Sequence, residues 1–129
     1  MTEPLLSIRG LTKAYPGVVA NDDVSFDIQP GEVHALLGEN GAGKSTLMKI
    51  LAGVQPLDAG EIRIDGKIVQ LVSVEAALSQ GIALIHQELN LCDNLTVSGA
   101  IFLGAELRRG PFLLEREMAR ITRHWLLRL

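Results

Sequence analysis

Residues 38–45, Gly38-Glu39-Asn40-Gly41-Ala42-Gly43-Lys44-Ser45, satisfy the spacing G-x-x-x-x-G-K-[ST] at every fixed position and are followed by Thr46. The chemistry this spacing serves is phosphate binding. Glycines let backbone N–H groups turn inward without interference from Cβ atoms. Lys44 has the length and charge to reach β- and γ-phosphates, and the Ser45 hydroxyl is placed to ligate Mg²⁺. A helix starting at this point adds the positive end of its dipole. A random chain of this length matches the pattern roughly once in a few hundred. The bland alternative is a glycine-rich turn with an incidental lysine. A dinucleotide-binding loop fits worse, because Thr46 stands where a third glycine is needed.

The neighbouring residues predict the elements that such a loop needs. Glu32-Val33-His34-Ala35-Leu36-Leu37 reads as a strand entering it, and Leu47, Ile50, Leu51 and Val54 have helical spacing after it, ended by Gly53 and Pro56. Residues 5–9 and 24–28 read as strands. Residues 61–65 and 67–72 flank Gly66 as an antiparallel hairpin. Ser73 caps a helix to about Gln80 that Gly81 ends, and 82–85 reads as a short buried strand. Residues 90–94 read as loop. Thr96 caps a short helix through Phe102, and Pro111 and Phe112 precede a last helix with an apolar stripe of Leu114, Met118, Ile121, Trp125 and Leu129.

Bulk properties narrow the class. The 129 residues are 47% hydrophobic and 21% charged, the balance of one globular domain. A net charge of −3 argues against nucleic acid as the main partner. The charge is uneven: residues 105–129 hold six Arg and three Glu, against six Lys or Arg and twelve Asp or Glu elsewhere. This basic segment reads as a solvated helix face, with contact to a membrane partner or anionic headgroups as the alternative. The single cysteine, Cys92, excludes an internal disulfide and fits a reducing compartment. No signal peptide or apolar run near 18 residues is visible, and no metal cluster. His34 and His86 read as structural histidines, and His124 lies on the polar part of the last helix.

Downstream of the loop the chain reads Leu47-Met48-Lys49-Ile50-Leu51-Ala52-Gly53, a Pro-x-Asp-x-Gly-x-Ile turn at 56–62, then Gln87-Glu88-Leu89 and Ile101-Phe102-Leu103-Gly104. In these stretches it resembles the ATPase subunits of ABC transporters, most of all bacterial sugar importers of the ribose, galactose and xylose type. The resemblance implies an α/β P-loop NTPase fold (a RecA-like core) with an antiparallel β subdomain. Residues 1–95 would form the β subdomain and the start of the core, and 96–129 the start of a helical subdomain. It implies ATP and Mg²⁺ as cofactors, bound by residues 38–46, with Ser45 and Gln87 as metal ligands. Gln87 would also position the attacking water. Tyr15 would stack on adenine, a task any ring face performs for any base; taken alone, it is an ordinary exposed tyrosine, as Gln87 alone is a surface amide. Transmembrane permease subunits and a second nucleotide-binding domain are the implied partners, at the cytoplasmic face of a bacterial membrane.

The family's Leu-Ser-Gly-Gly-Gln signature, acidic strand with catalytic Glu, and later histidine have no counterpart here. Leu78-Ser79-Gln80-Gly81 has the wrong pattern and precedes Gln87, and Leu113-Leu114-Glu115 has too few apolar residues. The groups that position water and support Mg²⁺ from its second side are therefore lacking, so the chain alone is expected not to hydrolyse ATP. The central sheet is expected to be incomplete, with unpaired apolar strand edges, as in a piece of a longer protein, a truncated product or a pseudogene-like remnant. Gly99 replaces the Glu usual in the family's Thr-x-x-Glu capping box, a loss of about 1–2 kcal/mol that predicts fraying over 96–103. The rival reading is a non-catalytic remnant or interaction fragment with weak or no nucleotide binding. A small kinase of the same loop type leaves Gln87 unexplained.

Overall fold

The computed structural model describes residues 3–85, 92 and 94–129. It divides into two compact units, Met1–Ile85 and His86–Leu129. The first is built on a four-stranded antiparallel sheet of β1 (Leu6–Tyr15), β2 (Val18–Ile28), β3 (Ala59–Ile64) and β4 (Lys67–Val69), in the order β2-β1-β3-β4. Two helices, α1 (Lys44–Leu51) and α2 (Val74–Ser79), complete it. Ile8, Leu11 and Ile62 from the sheet pack with Leu47, Ile50 and Leu51 of α1, and with Leu71 and Ala77, into one buried cluster. Ile8 and Leu11 are three apart, yet both are fully buried. In a regular strand that spacing would put them on opposite faces. Register shifts on both sides of β1 between Ile8 and Thr12 re-aim the chain there. Gly10 N–H donates to Ser25 Oγ at 2.8 Å within that irregularity.

The predicted β1 and β2 are each longer than the alternation showed, meeting in a tight turn where Tyr15 pairs with Val18. The hairpin around Gly66 is present, but its second arm ends at Val69 rather than 72, and Ser73 Oγ accepts from Ala76 N at 3.1 Å as the cap of α2. Two predicted strands are corrected. Residues 32–37 are exposed and not in a strand, with Val33 96% and Leu37 89% accessible. Residues 82–85 are likewise outside any strand, and Ile85 is 92% accessible rather than buried. The reason is physical: a strand is stabilised by a neighbour's ladder, and among the described residues neither segment has one. The central sheet is incomplete, while the antiparallel sheet stands on its own.

In the second unit, α3 (Val97–Ile101) carries the expected cap, Thr96 Oγ1 accepting from Gly99 N at 3.1 Å. A two-residue hairpin, β5 (Arg108–Arg109) with β6 (Phe112–Leu113), precedes α4 (Glu115–Leu126). The predicted stripe on α4 is only partly covered. Met118 and Thr122 are buried, but Trp125 is 56% accessible and Leu129 fully exposed. The burial track runs along the i, i+4 pair Met118–Thr122, so the hydroxyl-bearing Thr122 occupies a place that the stripe gave to Ile121 and Trp125.

Three carboxylates, those of Asp58 and Glu32 exposed and that of Asp27 half-buried, tie the first unit together. Asp58 accepts from Ala14 N–H at 2.8 Å and from Lys13 Nζ at 2.7 Å, and Asp58 N donates to Thr12 O at 2.9 Å. Asp27 meets Arg9 at 2.7 Å. Glu32 accepts from Gln29 N–H at 2.6 Å and lies 2.9 Å from His34 Nδ1. All three are held below the usual carboxylate range, Asp58 chiefly by the Ala14 N–H, Asp27 by Arg9, and Glu32 by the Gln29 N–H. Because the unfolded chain binds these protons more readily than the folded one, their contribution is fully present above about pH 4.5. It is lost as pH falls through the depressed folded values. Urea midpoints measured between pH 6 and pH 2 should fall below about pH 4, and Asp58→Asn should flatten part of that slope. An unchanged slope in the variant would remove Asp58 from the account.

Candidate functional site

The loop before α1 is shaped by backbone. Gly41 and Gly43 have φ of 86° and 84°, a region that side chains disfavour, and Ala42 N donates to Glu39 O at 3.2 Å to close the turn. Gly43 is the N-cap residue of α1, with φ 84° and ψ −1°. The helix has no side-chain cap and no acidic residue in its first turn. Its leading N–H groups therefore lack the partners that a capping side chain would supply, which is the arrangement that receives an anion. Leu47 and Ile50 anchor the other face of α1 in the core, so the loop is presented by a rigid element.

Lys44 turns back over this loop. Its Nζ donates to Gly38 O and Glu39 O, each at 2.7 Å. An ammonium has three donors, so two hold it against the loop and one is left for a further acceptor. Ser45 is exposed on the first turn of α1 and Thr46 half-buried behind it. Glu39, Asn40 and Ala42 are exposed around the mouth of the turn.

Tyr15 ends β1, with its hydroxyl donating to Gln55 Oε1. Lys13 Nζ stands 5.8 Å from the Tyr15 ring centre while bonded to Asp58. Across the strand pair, Lys13 faces Asn21. Asn21 is buried, and its Nδ2 donates to Gly43 O at 3.3 Å. The fold thus brings Tyr15 to the end of the β1–β2 hairpin that touches the phosphate-type loop. The Asn21, Gln55 and Asp58 ties were not read from the sequence. Asp58 had a signal, in the Pro-x-Asp-x-Gly turn. Asn21 had none, since an asparagine in a strand predicts a solvent-facing residue. Gln87 lies outside the described residues. Among the described residues no three His, Cys, Asp or Glu side chains gather as a metal site, and no helix is long and apolar enough to cross a membrane.

A family model described as ABC transporter matches residues 21–127. A "Putative ribose/galactose/methyl galactoside import ATP-binding protein 2" of Burkholderia cenocepacia is 55% identical over 121 residues, 92% of this chain and 24% of its own length. A "Ribose import ATP-binding protein RbsA 1" of Rubrobacter xylanophilus is 52% identical over 126 residues, 98% of this chain and 25% of its own. The chain thus spans about a quarter of the length of the curated relatives it matches. Among solved structures, it is similar to cbiO1 of Clostridium perfringens, part of the ABC transporter complex cbiONQ. There the TM-score is 0.54 and identity 31%, over 62% of this chain and 32% of that one. A nucleotide-free ATP-binding cassette from an ABC transporter gives a TM-score of 0.52 and 28% identity, over 54% and 28%. These neighbours identify the fold as that of an ATP-binding cassette, a P-loop NTPase, present here in part.

Proposed function

The chain belongs to the ABC transporter family, and on that premise we propose that it supplies the phosphate-loop side of the ATP site in a bacterial sugar importer. The observation that carries this reading is Lys44, held at 2.7 Å on two loop carbonyls at the uncapped start of α1. Residues 38–46 would receive the phosphates, Ser45 would ligate Mg²⁺, and Tyr15 would stack on the base. Gln87 would complete the metal shell and orient water. The whole protein would couple ATP binding and hydrolysis to uptake of a ribose- or galactose-type sugar. It would work with permease subunits and a second nucleotide-binding domain, peripherally at the cytoplasmic face of the membrane. The relatives' names support the sugar class.

A second reading, a fragment that binds nucleotide weakly or not at all, is favoured by the exposure of residues 32–37, which lead into the loop. Titration with ATP and Mg²⁺ separates the two. The first predicts saturable binding with no phosphate release above buffer, because no residue of this chain takes the place of the family's catalytic carboxylate. Absence of binding supports the second reading, and sustained turnover overturns the claim that further groups are needed.

A further inference from the structure

We infer that Asn21 is a positioning residue for the phosphate loop, linking the base-side strand to the turn that holds Lys44; this rests on the nucleotide-binding reading above. Asn21 is 94% buried, and its Nδ2 is the side-chain donor on Gly43 O, the carbonyl that immediately precedes Lys44. Gly43 lies flat against β2 at this point, so close that a Cβ would stand 2.0 Å from Ala20 O and 2.8 Å from Asn21 Nδ2. Its carbonyl also accepts from Leu47 N at 3.0 Å, the first bond of α1. One oxygen therefore sets both the start of the helix and the attachment of the loop to the sheet. Asn21 Oδ1 is buried with no hydrogen-bond partner among the described residues. A buried amide left half-satisfied is unfavourable for stability alone; its one bond goes to the residue that fixes where Lys44 begins. Across the strand pair Asn21 faces Lys13, which holds Asp58 and stands over Tyr15. Through Asn21, the strand carrying Tyr15 and the loop carrying Lys44 share one reference point.

The test compares the full chain with Asn21→Leu, which keeps the branched shape and removes the donor, and with Asn21→Ala in case the leucine does not fit. In the nucleotide-free protein, the Leu47 amide, which donates to Gly43 O, should exchange faster in both variants while β1 and β3 amides keep their protection. That result needs no nucleotide, so it stands or falls apart from the binding reading. With Mg²⁺-ATP as the probe, affinity should drop about tenfold, as for loss of one hydrogen bond's worth of preorganisation. Affinity for adenosine, which has no phosphates, should stay unchanged. Unchanged exchange at Leu47 would overturn the inference. Equal weakening for ATP and adenosine, or a uniform loss of protection across the sheet, would show a merely structural asparagine and overturn it too. Wild-type protein that binds no ATP would defeat the functional reading and leave the exchange result to decide the role of Asn21 in the loop.

Discussion

Lys44→Ala is expected to weaken Mg²⁺-ATP binding about 10- to 100-fold, the range for losing charge-assisted hydrogen bonds to a phosphate. The lysine makes two hydrogen bonds to carbonyls of its own loop and has one donor left. Removing it leaves Gly38 O and Glu39 O facing solvent, where water replaces the lost partner at little cost. Thermal stability should therefore change little while affinity collapses. Adenosine supplies the control, since without phosphates its binding should not depend on Lys44. Lys44→Arg should restore only part of the affinity, because a planar fork does not reproduce a compact ammonium seated on two converging carbonyls. Equal ATP affinity in wild type and Lys44→Ala, measured by titration calorimetry, would mean that the loop at 38–46 is not where the phosphates bind.

How much of this was legible in the sequence depends on what each feature needs. The loop was legible because its requirements are local. Two glycines at positive φ, a lysine and a hydroxyl residue follow one another within a single turn. Caps were legible for the same reason: Ser73 and Thr96 act on N–H groups three residues on. The apolar runs at 32–37 and 82–85 predict strands, yet both segments are irregular, 32–37 exposed throughout and 82–85 half-buried only at Ile82 and Leu84. An apolar run states what a segment would do given a neighbour; the neighbour is a long-range property that the run does not contain.

The ties around the site were illegible for a related reason. Asn21 acts on Gly43 across 22 positions, and Tyr15 on Gln55 across 40. Neither separation follows from a spacing rule. The irregularities in β1 compound this, because a register shift changes which residues share a face. Alternation shortened β1 and β2 in the reading from sequence and hid the fact that their far end carries Tyr15 and Asn21 together. The stacking role of Tyr15 comes from the family resemblance alone; the fold adds that Tyr15 and Asn21 share one end of the β1–β2 pair.

Gly43→Ala should be far more damaging than Gly41→Ala, although both glycines have nearly the same φ, 84° and 86°. The backbone term is shared: a non-glycine residue in this region costs on the order of 1–2 kcal/mol. The steric term is not. A Cβ at Gly41 meets nothing within 4 Å, while at Gly43 it would stand 2.0 Å from Ala20 O and 3.0 Å from Ala20 C, which are backbone atoms of β2. Backbone of a strand has no rotamer by which to move aside. Relief requires lifting the start of α1 off the sheet, which also strains the packing of Leu47 and Ile50 beneath it. With both terms, Gly43→Ala should cost about 4 kcal/mol, a large share of the stability of a small domain, and lower its melting temperature by on the order of 20 °C. Gly41→Ala should cost about 1 kcal/mol. Urea unfolding followed by far-ultraviolet circular dichroism measures both, read from midpoints at constant slope. If the two variants unfold at the same midpoint, the loop is not seated on β2, and the route from Tyr15 through Asn21 to Lys44 loses its last link.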